Sequence, residues 1–125
     1  MTNQHTAVDP QYPELSPIIL ALTRAFALLG NPWNGLVLAA LAKGPAGFSE
    51  VRERVPGIND RMLADRFHEL AEAGLLTRAV HHGPPQRSRY ALTPHGNAFL
   101  IPLASLAVWA EAHLPPYPID CARSH

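Results

Sequence analysis

Residues 48–70 read FSEVRERVPGINDRMLADRFHEL, and their punctuation divides them into two helices around a three-residue turn. Ser49 is placed to cap the first helix, with Glu50 favourably set against the positive end of its dipole. Pro56-Gly57 forces a tight turn. Asn59 can cap the second helix, which is predicted to run to about Ala73 before Gly74 stops it. At about 100° per residue, Leu63, Phe67 and Leu70 share the inner face of this second helix. Arg61, Asp65, His68 and Glu72 lie in a sector on the opposite side.

Working outward, the period changes after Gly74. LLTRAV (75–80) and RSRYALT (87–93) are short strand candidates, and HHGPPQ (81–86) between them has the composition of a hairpin tip. Thr93-Pro94 then opens a last helix reaching about Leu114, and Pro102 inside it predicts a kink or a local loss of hydrogen bonding. Upstream, SPIILALTRAFALLG (16–30) gives a first helix with Ser16 as cap, Pro17 at the first helical position and Gly30 as stop. NPWNGLVLAALAKG (31–44) repeats that grammar with Asn31, Pro32 and Gly44. The order is α-α-α-turn-α-β-β-α, a mainly helical chain with a small β-hairpin wing. A short helix, a glycine-containing turn, a second helix and a hairpin describe a winged helix-turn-helix. Residues 1–15 are expected to be a flexible arm, 16–114 the winged domain with its dimerisation helices, and 115–125 a tail.

The chain has 125 residues, 47% hydrophobic and 16% charged, which suits one globular domain with a sizeable core. Formal net charge is zero, so distribution matters more than balance. No acidic residue occurs between Glu72 and Glu111, an interval that holds Arg78, Arg87, Arg89, His81, His82 and His95. Such a segment suits phosphate contact, and a solvated loop is the plainer alternative. Cys121 is the one cysteine, so neither an intramolecular disulfide nor a cysteine-based metal cluster can form. The N-terminus lacks the pattern of a signal peptide. The apolar stretch from Ile18 to Leu29 is broken by Arg24 and too short to cross a bilayer. A cytoplasmic protein is expected.

GFSEVRERVPGINDRMLADRFHELAEAGLLTRAV (47–80), followed by RYALTPHG (89–96), resembles the HxlR-type family of bacterial winged-helix transcriptional regulators. The shared features are an F-S-E-L-like third helix, a P-G-I turn, an R-M-L recognition helix ending in G-L, and a Y-x-L-T-x-x-G wing exit. The likeness spans roughly Ala25 to Leu114 and needs no gap from Trp33 through Gly96. It implies a homodimer that represses or activates transcription at a palindromic operator. Many members sense electrophiles or oxidants through a cysteine near the first helix. Counting back from Trp33, that position here is Leu20. Ser16-Pro17 matches the family's Cys-Pro only if four residues are inserted, and neither alignment supplies a thiol. The usual Gly-Gly-Lys-Trp also becomes GNPW, with Pro32 in place of lysine. Positions 65 and 68 more commonly carry uncharged polar or basic side chains in the family, and position 89 an acidic one.

In a helix-turn-helix the N-terminal part of the second helix enters the major groove. The residues expected to meet DNA there are Asn59, Asp60, Arg61, Asp65 and His68, with Ser49 on the preceding helix. Arg61 can pair bidentately with guanine, or instead with Asp65 one turn on. Asp65 can accept a bond from cytosine or simply pair with Arg61; both readings stand on the residues alone. Arg87 and Arg89 alternate on a strand and share a face, so the wing is expected to supply most of the phosphate affinity.

His81, His82 and His95 are read as solvent-exposed histidines, not a metal site, because adjacent strand residues face opposite ways and no carboxylate joins them. Ser49, Ser88 and Ser105 lack a His/Asp context and there is no glycine-rich phosphate loop, so neither catalysis nor a cofactor is expected.

The last helix carries no Lys, Arg, Asp or Glu between Arg89 and Glu111, and it is apolar on two faces. A helix of that kind needs two partners. Dimerisation is therefore assigned to the first and last helices, through Ile18, Leu22, Phe26, Ile101, Val108 and Trp109. A cavity near Phe26, Trp33 and Trp109 is a candidate pocket for a small apolar or aromatic effector. Cys121 reads as a bystander thiol, with an intersubunit disulfide as the alternative. The expected function is a homodimeric regulator of transcription, a repressor by preference, that binds double-stranded DNA. A winged-helix module devoted to protein–protein interaction is the rival, on the strength of Asp65 and the zero net charge.

Overall fold

Over residues 15–84 and 87–116, which the computed structural model of the chain describes, the elements are α1 (Leu15–Leu29), α2 (Pro32–Ala40), β1 (Ala46–Gly47), α3 (Phe48–Arg54), α4 (Asp60–Glu72), β2 (Leu76–His81), β3 (Arg87–Leu92) and α5 (Pro94–His113). The chain divides into two units, residues 1–32 with α1, and residues 33–125 with the other elements. The expected arm falls outside the described residues up to residue 14, as does the tail, including Cys121, from residue 117.

The helix of the first unit starts at Leu15, so Ser16 lies within its first turn and not at its cap. Such one-residue shifts are ordinary at helix ends. Gly30 ends it as expected. Thr23, a β-branched residue inside the helix, turns its hydroxyl back to the Ile19 carbonyl at 2.8 Å.

The second unit is a winged helix-turn-helix. Its core joins Val37 and Leu38 of α2, Val51 of α3, Leu63, Phe67 and Leu70 of α4, and Leu75 and Leu76 at the start of β2, all buried. Three strands form one antiparallel sheet in the order β1-β3-β2, with Ala46 opposite Tyr90, Leu76 opposite Leu92 and His81 opposite Arg87. β1 was not anticipated: two residues are too few to show any alternation, and only β3 makes them a strand. α2 stops at Ala40, four residues before Gly44. The chain from there closes through tighter i→i+3 bonds, from Leu41 to Leu38 and from Gly44 to Leu41, until Gly44 adopts φ +133°.

α5 opens as its sequence signals, with Thr93 as cap and Pro94 in the first turn. The Thr93 hydroxyl accepts from Gly96 N–H at 3.0 Å and donates to the Gly74 carbonyl at 2.7 Å, so one side chain joins the end of α4 to the start of α5. Gly96 is required by space. A Cβ there would stand 2.1 Å from the Leu75 carbonyl oxygen. The helix continues through Pro102, whose missing N–H leaves the Ala98 carbonyl without its usual i+4 donor. Among the described residues no helix is long and apolar enough to cross a membrane.

Candidate nucleic-acid interface

The inner face of α4 holds the recognition helix in place. Leu63 and Leu70 are fully buried and Phe67 nearly so, each burial contributing about 1.5–3 kcal/mol. Phe67 stacks on Tyr90 of β3 with centroids 3.8 Å apart, and meets Phe48 of α3 edge-on at 5.8 Å. The recognition helix, the helix before it and the wing thus share one aromatic contact. Sequence patterning marked Phe67 as core but did not reveal Tyr90 as its partner, because the pair is separated by a strand and a hairpin.

Two arginines fix α4 from outside the core. Arg66, largely buried, donates to Asn34 Oδ1 of α2 at 3.1 Å and also pairs with Glu69. Asn34 is itself 1% exposed, so this bond helps satisfy a buried amide. Arg52 of α3 reaches Asp60 at 2.5 Å across the turn, which holds the guanidinium above its ordinary pKa. Neither contact was anticipated, since eight and thirty-two residues of separation leave no periodic signal.

The caps correct one expectation. Asn59 does cap α4, its side chain accepting from Met62 N–H at 2.8 Å. Ser49, however, does not cap α3. Gly47 takes that position, and Glu50 reaches back to accept from Gly47 N–H at 2.7 Å. The pairing of β1 with β3 draws residue 47 to the helix start, which moves Ser49 into the first turn, where it is exposed. The Gly47 bond is the main cause that lowers the Glu50 carboxyl pKa, with help from nearby Arg89 and Arg54.

The residues expected to read DNA differ in their condition. Asp60 is engaged by Arg52, and His68 lies 3.5 Å from Glu72. Arg61 and Asp65 are exposed, and no ion pair joins them. On the wing, Arg87 is exposed, whereas Arg89 is half-buried and donates to the Pro45 carbonyl at 2.8 Å. Arg78 of β2 donates to the Ser88 hydroxyl at 3.0 Å. His82 is exposed; the His81 side chain, Pro85 and Gln86 lie outside what the structure describes. No cluster of three or more metal-ligating side chains occurs among the described residues.

The residues assigned to dimerisation are among the exposed large apolar ones of the terminal helices. Ile18, Leu22 and Phe26 are 48%, 47% and 61% exposed, and Ile101, Val108 and Trp109 are 73%, 71% and 53% exposed. Of α5 only Gly96 is buried. Trp33, offered with Phe26 and Trp109 as an effector pocket, is half-buried, with its ring 3.4 Å from where a Cβ on Gly57 would stand, while Trp109 lies beside His113 at 5.8 Å. A shallow depression on α5 is lined by Ala107, Val108, Glu111 and Ala112, and none of the three aromatic residues borders it.

The model of the "HxlR-like helix-turn-helix" family matches residues 28–118. The transcriptional regulator YodB of Bacillus subtilis is 36% identical over 97 residues, which cover 78% of this chain and 87% of that protein. Its reduced form superposes with a TM-score of 0.68 at 35% identity, over 78% of this chain and 96% of that one. Its quinone-bound form superposes with a TM-score of 0.63 at 35% identity, over 74% and 97%.

Proposed function

From a chain that belongs to the HxlR-like helix-turn-helix family of DNA-binding transcriptional regulators, we propose a homodimeric repressor that binds a palindromic operator. The carrying observation is the contrast between the two faces of α4, one buried and clamped by Arg52 and Arg66, the other presenting Arg61 and Asp65 to solvent. A recognition helix must be rigid behind and free in front, and α4 meets both conditions. In this reading Arg61 meets a guanine, Asn59 and Ser49 approach the backbone, and Arg87 meets phosphate at the wing. Asp60 and Arg89 act first as struts, and His68 lies at the edge.

The dimer is supported by the apolar side chains that α1 and α5 leave exposed, a pattern that a second copy would cover. Twofold symmetry would then present two recognition helices to two half-sites about 34 Å apart. A small apolar or aromatic effector is supported by the quinone-bound form of the Bacillus subtilis relative. Leu20 and Ser16 carry no thiol, so capture of such a molecule at the first helix would be non-covalent.

The test is a binding titration of the purified chain against the DNA upstream of its own gene, at several salt concentrations, with mass measured by sedimentation. Sequence-selective, salt-sensitive binding by a dimer is expected. The unpaired carboxylate of Asp65 on the groove side and the zero net charge favour one other reading, a protein–protein interaction module. Salt-insensitive or absent DNA binding would favour that reading instead.

A further inference from the structure

We infer that Asp65 is a specificity-determining side chain that selects cytosine at one position of each half-site, about two base steps from the base met by Arg61. This rests on the DNA-binding reading above and deepens it.

α4 carries four acidic residues, Asp60, Asp65, Glu69 and Glu72. Three have partners: Asp60 has Arg52, Glu69 has Arg66 and Glu72 has His68. Of the basic groups on the same helix, Arg66 and His68 are engaged by those contacts. Arg61 and Asp65 remain, spaced i,i+4 on the exposed face and separated by only about 40° around the helix. That spacing suits an ion pair, yet none forms. Both side chains are left available to groups outside the chain.

A carboxylate carried toward a duplex meets phosphates that repel it, and it accepts hydrogen bonds without donating any. In the major groove it needs an amino group with no acceptor beside it. Guanine offers O6 and N7, both acceptors, and thymine offers O4. Adenine offers an amino group, but its N7 acceptor lies next to it and opposes the second carboxylate oxygen. Cytosine offers the N4 amino group alone on its groove edge. Asp65 therefore accepts from cytosine N4 and penalises the other three bases. Four residues of helix advance about 6 Å, close to two base steps of about 3.4 Å. The half-site should then hold a guanine for Arg61 and a cytosine for Asp65 about two steps apart.

The experiment is selection from a randomised duplex pool by the full chain and by the Asp65→Asn and Asp65→Ala variants, with thermal melts to confirm folding. Wild type should enrich cytosine at one position per half-site about tenfold over other bases, as one lost base contact implies. Asp65→Asn should shift that position toward adenine, whose N6 and N7 match an amide. Asp65→Ala should lose the preference there and keep the guanine of Arg61. An identical motif from all three proteins overturns the inference. So does a uniform gain in affinity of Asp65→Ala for every sequence, which would make Asp65 only a repulsive charge. A wild-type chain that enriches nothing overturns the DNA-binding reading itself, and the inference with it.

Discussion

α4 and α5 are neighbours in one fold, yet they satisfy their apolar side chains in opposite ways. α4 buries Leu63, Phe67 and Leu70 inside the chain, and Asp60, Arg66 and Glu69 pair with α3, α2 or one another. α5 is longer and more apolar, yet buries only Gly96 and leaves Ile101, Leu106, Val108 and Trp109 more than half exposed. The first is a helix completed by its own fold. The second has surface that a single copy does not use. Substitutions on the inner face of α4 should therefore act on folding, and those on the outer side of α5 on association.

The largest effect is expected where that contrast begins. Phe67→Ala removes the stack on Tyr90 and the contact with Phe48 and should cost about 3–5 kcal/mol, a large part of a small domain's stability. Urea unfolding at fixed protein concentration measures it, and a loss under about 1 kcal/mol would deny the stack its central place. Gly96→Ala should cost on the order of 3 kcal/mol in the same assay, because backbone, not a movable side chain, opposes the new methyl group.

Next comes the outer face of α5. Ile101→Glu with Val108→Glu should leave the secondary structure intact and weaken self-association at least about tenfold by sedimentation. A double variant that stays dimeric would move the interface elsewhere. The wing sharpens the comparison at smaller scale. Arg87→Ala should reduce the slope of log affinity against log salt by about 1, as loss of one phosphate contact does. Arg89→Ala should change that slope less and lower the melting temperature more, because Arg89 holds the Pro45 carbonyl. Equal slopes for the two variants would erase the distinction between them.

The smallest effect is titratable. The Glu50 carboxyl pKa is lowered in the fold from its ordinary value of 4.5, so its contribution to stability is present above 4.5 and is lost as pH falls toward the folded value. Wild type should exceed Glu50→Ala in stability at neutral pH, and the gap should narrow below pH 4.5. A gap that stays constant on acidification would show that the charge on Glu50 contributes nothing at this cap.

Most of the element order was legible because it depends on local signals. Cap-then-proline pairs at Asn31-Pro32 and Thr93-Pro94, the Pro56-Gly57 turn and the 3.6-residue spacing of Leu63, Phe67 and Leu70 each act within a few residues. What local signals left out was decided by distant elements. Ser49 looked like the cap of α3 until β3 brought Gly47 into a strand and set the helix start there. Arg87 and Arg89 looked alike by alternation, but the Pro45 carbonyl lies within reach of only one of them. Asp60 and Asp65 were both candidates for contact with DNA, and the clasp from Arg52 separates them.

By itself, then, the amino-acid order determined a winged helix-turn-helix with an inner and an outer side to its second helix, because periodicity and capping are short-range physics. Tertiary structure decided which outer side chains are free to act. Ion pairs and backbone hydrogen bonds form between groups that proximity brings together, and proximity across eight, thirty-two or forty-four residues belongs to the folded chain alone.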